Sequence, residues 1–478
     1  MTQQAPRPPA APLPVSARAR GVFCNRTLNL RSMAAIGYDM DYTLVHYHVD
    51  VWEQRAYEGT RDRLAEAGWP VADLTFEPAR VIRGLILDLE LGNIVKADRF
   101  GYVKRAMHGT RMLGFDEQRR LYQQAVVDLR EPRWVFMNTL FSLSEAWIFA
   151  QLVDLLDARA LPEVMGYREL HRRVKSALDE THMEGRLKAE IVAHPERFVD
   201  LDPLAPQTLL DQRDAGKRLL LITNSGWPYT RDIMGYAFDP FLPQGTTWRD
   251  LFELVVVSAR KPHFFGGPNP MFRVVDDQGL LEPLDRQGLE AGGVYLGGDA
   301  AAVEAYLGVD GSRILYVGDH IFTDVHASKS AHRWRTALVL RELEAELAAI
   351  EAFADTQREL ARGMEDKAAL ERQHAQVRLQ LLRLDRGAPQ RAALRAERER
   401  LWAEIQRLDE HLAPLAAAAS RQSNEHWGLL LRAGHDKSHL ARQVERHADL
   451  YLSRVSNLAT ATPFAFFRAP RSSLPHDG

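Results

Sequence analysis

Two aspartates one residue apart, Asp39 and Asp41, stand at the end of the apolar run Ile36-Gly37-Tyr38 and are followed by Tyr42-Thr43-Leu44. A buried carboxylate is costly unless it is paired, protonated or bound to a metal. Alone, an Asp-x-Asp at a strand end reads as a solvated acidic turn. Further polar groups change that reading. Thr223, Asn224 and Ser225 close the apolar run that starts at 218, Lys261 follows the run 251–258, and Asp319 and Asp324 follow the run that starts at 313. An acidic pair, a small hydroxyl, a lysine and a second acidic pair are the parts that a phosphoryl-transfer site requires.

Carboxylates and phosphate oxygens together make a hard, oxygen-only environment suited to Mg²⁺. Lys261 and such a cation would offset charge on a phosphoryl group, whose transfer is chiefly a matter of positioning and electrostatics. Asp39 can attack phosphorus and carry an aspartyl-phosphate. Asp41 can protonate the leaving oxygen and later activate water. Thr223 can hydrogen-bond the phosphoryl oxygens. Taken singly each part has an ordinary reading: Thr223 as a helix cap, Lys261 as a surface charge, "GDHIFTD" as a loop. Their order, each after a strand-like run, favours the joint reading.

The elements that must position these groups are short apolar runs bounded by turn residues: "MAAIGYD", "RLLLIT" (218–223), "LFELVVVS" (251–258), "RILYVGD" (313–319) and "RTALVL" (335–340). Helical patterns between them predict a doubly wound α/β fold with a mainly parallel sheet. Such sheets bind ligands at the carboxyl ends of their strands, where the polar groups fall. About 180 residues separate Asp41 from Thr223, far more than a crossover needs, so a large inserted cap is expected over 51–188. The catalytic core is then discontinuous, 18–50 and 189–342.

The cap contains a strand-like run, "RGLILDL" (83–89), and a helical one, "SLSEAWIFAQLVDLLDAR" (142–159). There Ser144 can serve as cap, with Trp147, Ile148, Leu152 and Leu155 on the apolar side. From 343 to 420 the chain is rich in Ala, Leu, Glu, Arg and Gln and breaks at Gly387-Ala388-Pro389. Leu394, Leu401, Ile405, Leu408, Leu412 and Leu415 then recur at helical steps, which predicts an antiparallel hairpin with a coiled-coil-like seam. Its expected role is scaffolding or oligomerisation. Residues 421–478, with Trp427 and the aromatics of "TPFAFF" (462–467), are expected to pack back onto the core.

Composition excludes little but steers. Lys plus Arg number 61 against 64 Asp plus Glu, a net charge of −3, which gives no reason to expect nucleic acid or an anionic membrane surface as partner. The single Cys24 precludes an internal disulfide or a cysteine zinc cage and fits a cytoplasmic setting. The Pro- and Ala-rich residues 1–17 read as a flexible tail without a signal-peptide core. No apolar stretch is long enough to span a bilayer. His46 and His48, two apart, would share a strand face but lack a third ligand and are not read as metal-binding.

The motif Asp39-Met40-Asp41-Tyr42-Thr43 resembles the Asp-x-Asp-x-Thr of the haloacid dehalogenase superfamily. The closer resemblance is to its cytosolic purine 5′-nucleotidase branch. It rests on "VFCNRTLNL" (22–30), "GYDMDYTLVHY" (37–47), "RGLILDLELGNIVKAD" (83–98), "NTLF" (138–141), "LITNS" (221–225), "ARKPHFF" (259–265), "ILYVGDHIFTD" (314–324) and "RHADLY" (446–451). Together these extend over most of the chain beyond the tail.

The resemblance implies a phosphomonoesterase acting on nucleoside 5′-monophosphates, with Asp39 as nucleophile and Asp41 as acid and base. It implies Mg²⁺ held by an Asp39 oxygen, the Asp41 backbone carbonyl and Asp319, with Asp324 supporting the water shell. Thr223, Asn224, Ser225 and Lys261 would meet the phosphate. "ALDETHMEGRLK" (177–188) resembles the nucleoside-recognition helix, directing Asp179 and His182 to base or ribose and Lys188 to phosphate. Phe141 would stack on the base. Two positions depart from the family: Lys175 stands where an arginine is expected, and Ser142 where an asparagine is. A homo-oligomer is also implied. A phosphatase for a non-nucleotide phosphomonoester fits the same chemistry. A non-catalytic scaffold using the hairpin is disfavoured, because nucleophile, acid and lysine are all retained.

Overall fold

The computed structural model describes residues 18–183, 185–284 and 288–471; the tail expected over 1–17 lies outside them. Ten strands form the central sheet: β1 (Val22–Cys24), β2 (Ala35–Tyr38), β3 (Arg218–Ile222), β4 (Leu254–Val257), β5 (Met271–Val274), β6 (Leu281–Pro283), β7 (Gly293–Gly297), β8 (Ile314–Gly318), β9 (Arg335–Val339) and β10 (Leu450–Leu452). Their spatial order is β1-β10-β9-β8-β2-β3-β4-β7-β5-β6. The seven strands from β10 to β7 run parallel; β1 and β5 run against them, and the edge strand β6 pairs antiparallel with β5. Strands β2, β4 and β8 are buried along their whole length. That burial on both faces is why they read as unbroken apolar runs. The fold is the doubly wound α/β class.

From β2 the chain steps to β3 and β4 on one side, then returns across β2 to build β8, β9 and β10 on the other. The winding therefore reverses beside β2, and the carboxyl ends of the strands there are where sheets of this class bind ligands. Strands β7 and β10 were not expected from the sequence. β7 is glycine-bounded and β10 is three residues long, so neither displays a strand-length apolar run. The run 251–258 yields a strand only over β4, because Trp248–Leu251 forms a tight turn held by a Thr247–Asp250 capping box.

Between β2 and β3 lies a five-stranded antiparallel sheet running Arg111–Met112, Val103–His108, Asn93–Ala97, Ile86–Asp88, Trp134–Phe136. Helices Val49–Glu66, Leu143–Asp157 and Tyr167–Met183 pack on one another beside it. The helix expected over 142–159 begins at Leu143, and Ser144 is not its cap. The backbone N–H of Ser144 instead donates to the buried Glu53 carboxylate at 2.7 Å, so a side chain from another helix satisfies the N-terminus. This helix is buried from Leu143 to Val153 on every side, and only Leu155 of the expected apolar stripe is half-buried.

The C-terminal arm is two 30-residue helices, Ala354–Arg383 and Gln390–Ala419, joined across the Gly387-Ala388-Pro389 turn. Leu401, Ile405 and Leu412 are buried in the seam, while Leu394, Leu408 and Leu415 are half-buried. Trp427 is buried and its indole donates to Arg80 O at 2.7 Å. Of the final aromatics, Phe467 packs against the core, but Phe464 and Phe466 are exposed; the expectation that all of them pack inward was too broad. No helix among the described residues is long and apolar enough to cross a membrane.

His46 and His48 do not share a face. The strand ends at Tyr47, leaving His46 buried and His48 exposed at the start of the next helix. Burial, with Arg341 and Arg20 nearby, pushes the His46 imidazole down from 6.5 to about 3. The unfolded chain therefore takes up a proton below about pH 6.5 that the folded chain refuses until about pH 3, so His46 favours folding at neutral pH and this is lost on acidification. His46→Leu is expected to flatten the acid loss of stability, by on the order of 3 kcal/mol between neutral pH and pH ~4. Denaturant titrations at the two pH values measure it; an unchanged difference would contradict this assignment.

Candidate active site

The carboxyl ends of the strands beside β2 gather the charged residues. Asp39 continues the ladder, donating its N–H to Val317 O at 2.9 Å. The chain then folds tightly, with the N–H groups of Thr43, Leu44 and Val45 all donating to Met40 O at 3.2, 2.9 and 3.0 Å. Tyr42 takes a left-handed φ of 54° in this turn, an unfavourable geometry for a bulky residue and one that collects at functional sites. Asp39 Oδ1 accepts from the Met40 N–H at 2.8 Å and lies 2.8 Å from Lys261 Nζ.

Lys261 is the hub. Its ammonium is buried, 2.7 Å from Asp324 Oδ1, and donates to Tyr316 OH at 3.0 Å. Its loop is bent by left-handed Ser258 and Arg260, with φ of 46° and 57°. Asn224 clamps the same residue: its Oδ1 accepts from Lys261 N–H at 2.6 Å and its Nδ2 donates to Lys261 O at 3.1 Å. Asn224 thus engages the lysine backbone. Tyr316 passes its own proton to Ile222 O at 2.9 Å and leans over Gly37, where a Cβ would lie 2.8 Å from its ring. Tyr316 is hidden in the apolar run of β8, and the sequence carries no signal for its role.

Asp319 and Asp324 follow β8. Gly318 permits their approach, since a Cβ there would sit 2.5 Å from Asp324 Oδ2. That oxygen accepts from His320 N–H at 3.1 Å, and His320 Nδ1 accepts from Phe322 and Thr323 N–H, capping the turn that carries Asp324. Asp39, Asp319 and Asp324 each offer a carboxylate oxygen within 4.8 Å of the others; among the described residues no other group of three potential ligands lies so close.

Burial, with Asp324 adding repulsion against the relief given by Lys261, raises Asp39 from 3.8 to about 7. Burial and Asp324 likewise hold Asp319 well above its ordinary value. Burial works against the charge on Lys261, but Asp324 and Asp39 outweigh it and keep the lysine protonated. Asp324 Oδ1 is fully buried and completes no hydrogen bond of good geometry, meeting only the lysine charge. Three hard oxygen donors with surplus negative charge and an orphaned buried oxygen fit a small divalent cation.

The Asp41 carboxylate is not part of the trio. Its oxygens accept from Tyr47 OH at 2.5 Å and Ser225 Oγ at 2.6 Å. Ser225 Oγ accepts from Lys188 Nζ at 3.0 Å, and that ammonium lies 4.7 Å from the Tyr229 ring centroid. Tyr229 and Tyr47 hydroxyls are 2.9 Å apart, closing a ring of five side chains that joins the insert to the core. Tyr47 and Tyr229 are additions to the sequence reading, although Tyr47 lies within the quoted motif. Thr223 is buried and its hydroxyl accepts from Ser225 N–H at 3.0 Å.

Phe141 stands edge-on to Tyr42 and Trp52, with centroids 4.7 and 5.3 Å away, and so abuts the aspartate turn. Lys175 pairs with Asp179 at 3.2 Å, as the four-residue spacing implies, and also with buried Glu145 at 3.5 Å. Lys175 and Asp179 line a groove of about 480 Å³ with His171 and Arg172. Their ion pairs run within the insert and not to the aspartate trio. Ser142 is buried at the start of the helix and makes no capping bond. The His182 side chain lies outside the described residues.

The chain is 26% identical over 468 residues to a 5′-nucleotidase domain-containing protein of Dictyostelium discoideum, covering 95% of this chain and 74% of that one. Among solved structures it resembles CbbY from Rhodobacter sphaeroides in complex with phosphate, at 14% identity and TM-score 0.26, covering 64% of this chain and 86% of that one. It also resembles an archaeal β-phosphoglucomutase from Pyrococcus sp. strain ST 04, at 12% identity and TM-score 0.31, covering 64% and 87%. These scores are too low to align side chains, and the fold rests on the sheet order itself. The model of the 5′ nucleotidase family matches residues 22–478, and with it the chain belongs to the 5′ nucleotidase family of phosphoric monoester hydrolases.

Proposed function

We propose that this protein is a Mg²⁺-dependent 5′-nucleotidase that cleaves nucleoside 5′-monophosphates, purine ones foremost, through an aspartyl-phosphate on Asp39. The observation that carries the reading is the buried lysine bridging Asp39 and Asp324, with Asp319 beside them, at the point where the sheet reverses. Asp39, Asp319 and Asp324 would hold the cation, together with the Asp41 backbone carbonyl. A bound Mg²⁺ would neutralise phosphoryl charge and relieve the repulsion among the carboxylates.

The protein's own groups do the rest. An Asp39 oxygen attacks phosphorus as the phosphorus–oxygen bond to the nucleoside breaks. Asp41 gives its proton to the departing 5′-oxygen, then takes one from the water that attacks the aspartyl-phosphate and frees Asp39. Lys261, Thr223, Ser225 and Lys188 bind the phosphoryl oxygens. Tyr47 and Ser225 hold Asp41 by hydrogen bonds at both oxygens, which fixes where its carboxyl faces before substrate arrives.

For the base, Phe141 supplies a stacking face and Asp179 and His182 polar contacts. Lys175 is tied to Asp179 and Glu145, which holds it back from the base, and it lacks the planar fork of an arginine. Purine monophosphates should then be accepted with modest discrimination among bases. Lys175→Arg is expected to raise kcat/KM selectively for inosine and guanosine monophosphates, by on the order of tenfold, the worth of one charged hydrogen bond. A hydrolysis panel of nucleotides and sugar phosphates, run with both proteins, tests this. Equal change on every substrate would remove Lys175 from the base pocket, and native preference for a sugar phosphate would overturn the nucleotide reading. The exposed faces of the helical hairpin are proposed as the route to a homo-oligomer.

A further inference from the structure

A buried arginine sits outside the trio and outside every role given above. Arg83 is 2% exposed, at the entry to the antiparallel sheet of the insert. Its Nε donates to Asn138 O at 2.8 Å, its Nη2 donates to the backbone carbonyl of Asp319, and its Nη1 lies 3.7 Å from Glu342 Oε2. One guanidinium therefore ties three segments together. They are the segment leading to Phe141, the loop that begins with Asp319, and Glu342 at the start of the helix Leu343–Ala352 that precedes the C-terminal arm. The tie is doubled, because Thr139 Oγ1 donates to Asp319 Oδ2 at 3.5 Å. The backbone beside it is closely packed: at Gly84, with a φ of +86°, a Cβ would lie 2.8 Å from Leu440.

We infer that Arg83 is a positioning residue for the cation site, fixing Asp319 in register with the Phe141 segment of the insert. This rests on the proposed cation at Asp39, Asp319 and Asp324. A side chain that holds a ligand residue from behind acts on metal affinity through orientation, and its removal characteristically weakens binding without deleting a ligand. The guanidinium reaches the carbonyls of Asn138 and Asp319 through two separate nitrogens, Nε and Nη2, held in one plane, whereas a lysine would have to serve both from a single point.

The test is Mn²⁺ binding followed by the paramagnetic resonance of free Mn²⁺, on purified native protein, Arg83→Lys, Arg83→Gln and Asp319→Asn. Circular dichroism and thermal midpoints are recorded alongside. Arg83→Lys is expected to fold and to bind Mn²⁺ on the order of tenfold more weakly, with Arg83→Gln weaker still, towards a hundredfold. Native affinity in a folded Arg83→Lys protein would overturn the inference, as would failure of that variant to fold, which would assign Arg83 to the fold alone. Should only the glutamine variant misfold, the lysine variant decides. Asp319→Asn separates the two claims: if it binds Mn²⁺ like the native protein, the cation site itself is wrong.

Discussion

Asp39→Asn is expected to remove hydrolysis of phosphomonoesters, a loss on the order of 10⁴-fold or more, while the protein remains folded. The amide cannot attack phosphorus, so no covalent intermediate forms. The fold should survive because the change deletes one of three buried carboxylates that repel one another, and burial already raises Asp39 to about 7. Lys261 keeps Asp324 as a partner at 2.7 Å and is not left as a lone buried charge. The thermal midpoint of the variant should equal or exceed that of the native protein. Steady-state hydrolysis and calorimetry check the two halves, and retained activity in a folded variant would sink the nucleophile assignment.

Asp41→Asn is expected to lose activity in a way that depends on the leaving group. An asparagine cannot give a proton to a nucleoside 5′-oxygen, so nucleotide hydrolysis should fall by about 10²–10⁴-fold. Nitrophenolate needs no proton to depart, so phosphoenzyme should still form from nitrophenyl phosphate, and its breakdown should then be slow for want of the base. The amide oxygen of the variant can still accept from Tyr47 or Ser225, the partners at 2.5 and 2.6 Å, which keeps the variant a test of proton transfer and not of folding. Burst kinetics with the two substrate types measure this. Equal loss on both would argue that Asp41 acts by position alone.

The clustering of the acidic residues and the lysine was legible because they sit where parallel strands end, and a strand's end is visible as the last residue of an apolar run. Asp39, Lys261, Asp319 and Asp324 all fall there, and the reversal of winding beside β2 brings them together. The groups that hold them were not legible. Tyr316 lies inside β8 and looks like one more apolar residue, and Arg83 precedes a strand nearly 240 positions away from Asp319. Its reach depends on tertiary packing that no local pattern encodes. Strands β7 and β10 escaped for a related reason: their length is set by their neighbours in the sheet and not by their own propensity. The insert is the reverse case. Its buried helix at Leu143–Asp157 was recognisable, yet its cap comes from Glu53, and the serine at 144 only supplies the N–H that the carboxylate receives.

The central claim is the aspartyl-phosphate, and an acid-quench experiment addresses it most directly. Native protein is mixed with Mg²⁺ and a nucleoside monophosphate, quenched in acid during turnover, digested and examined by mass spectrometry. One phosphate is predicted on the peptide that contains Asp39, removable by hydroxylamine and absent from Asp39→Asn. Turnover with no covalent phosphate at any time, or phosphate on a peptide lacking Asp39, would contradict the account.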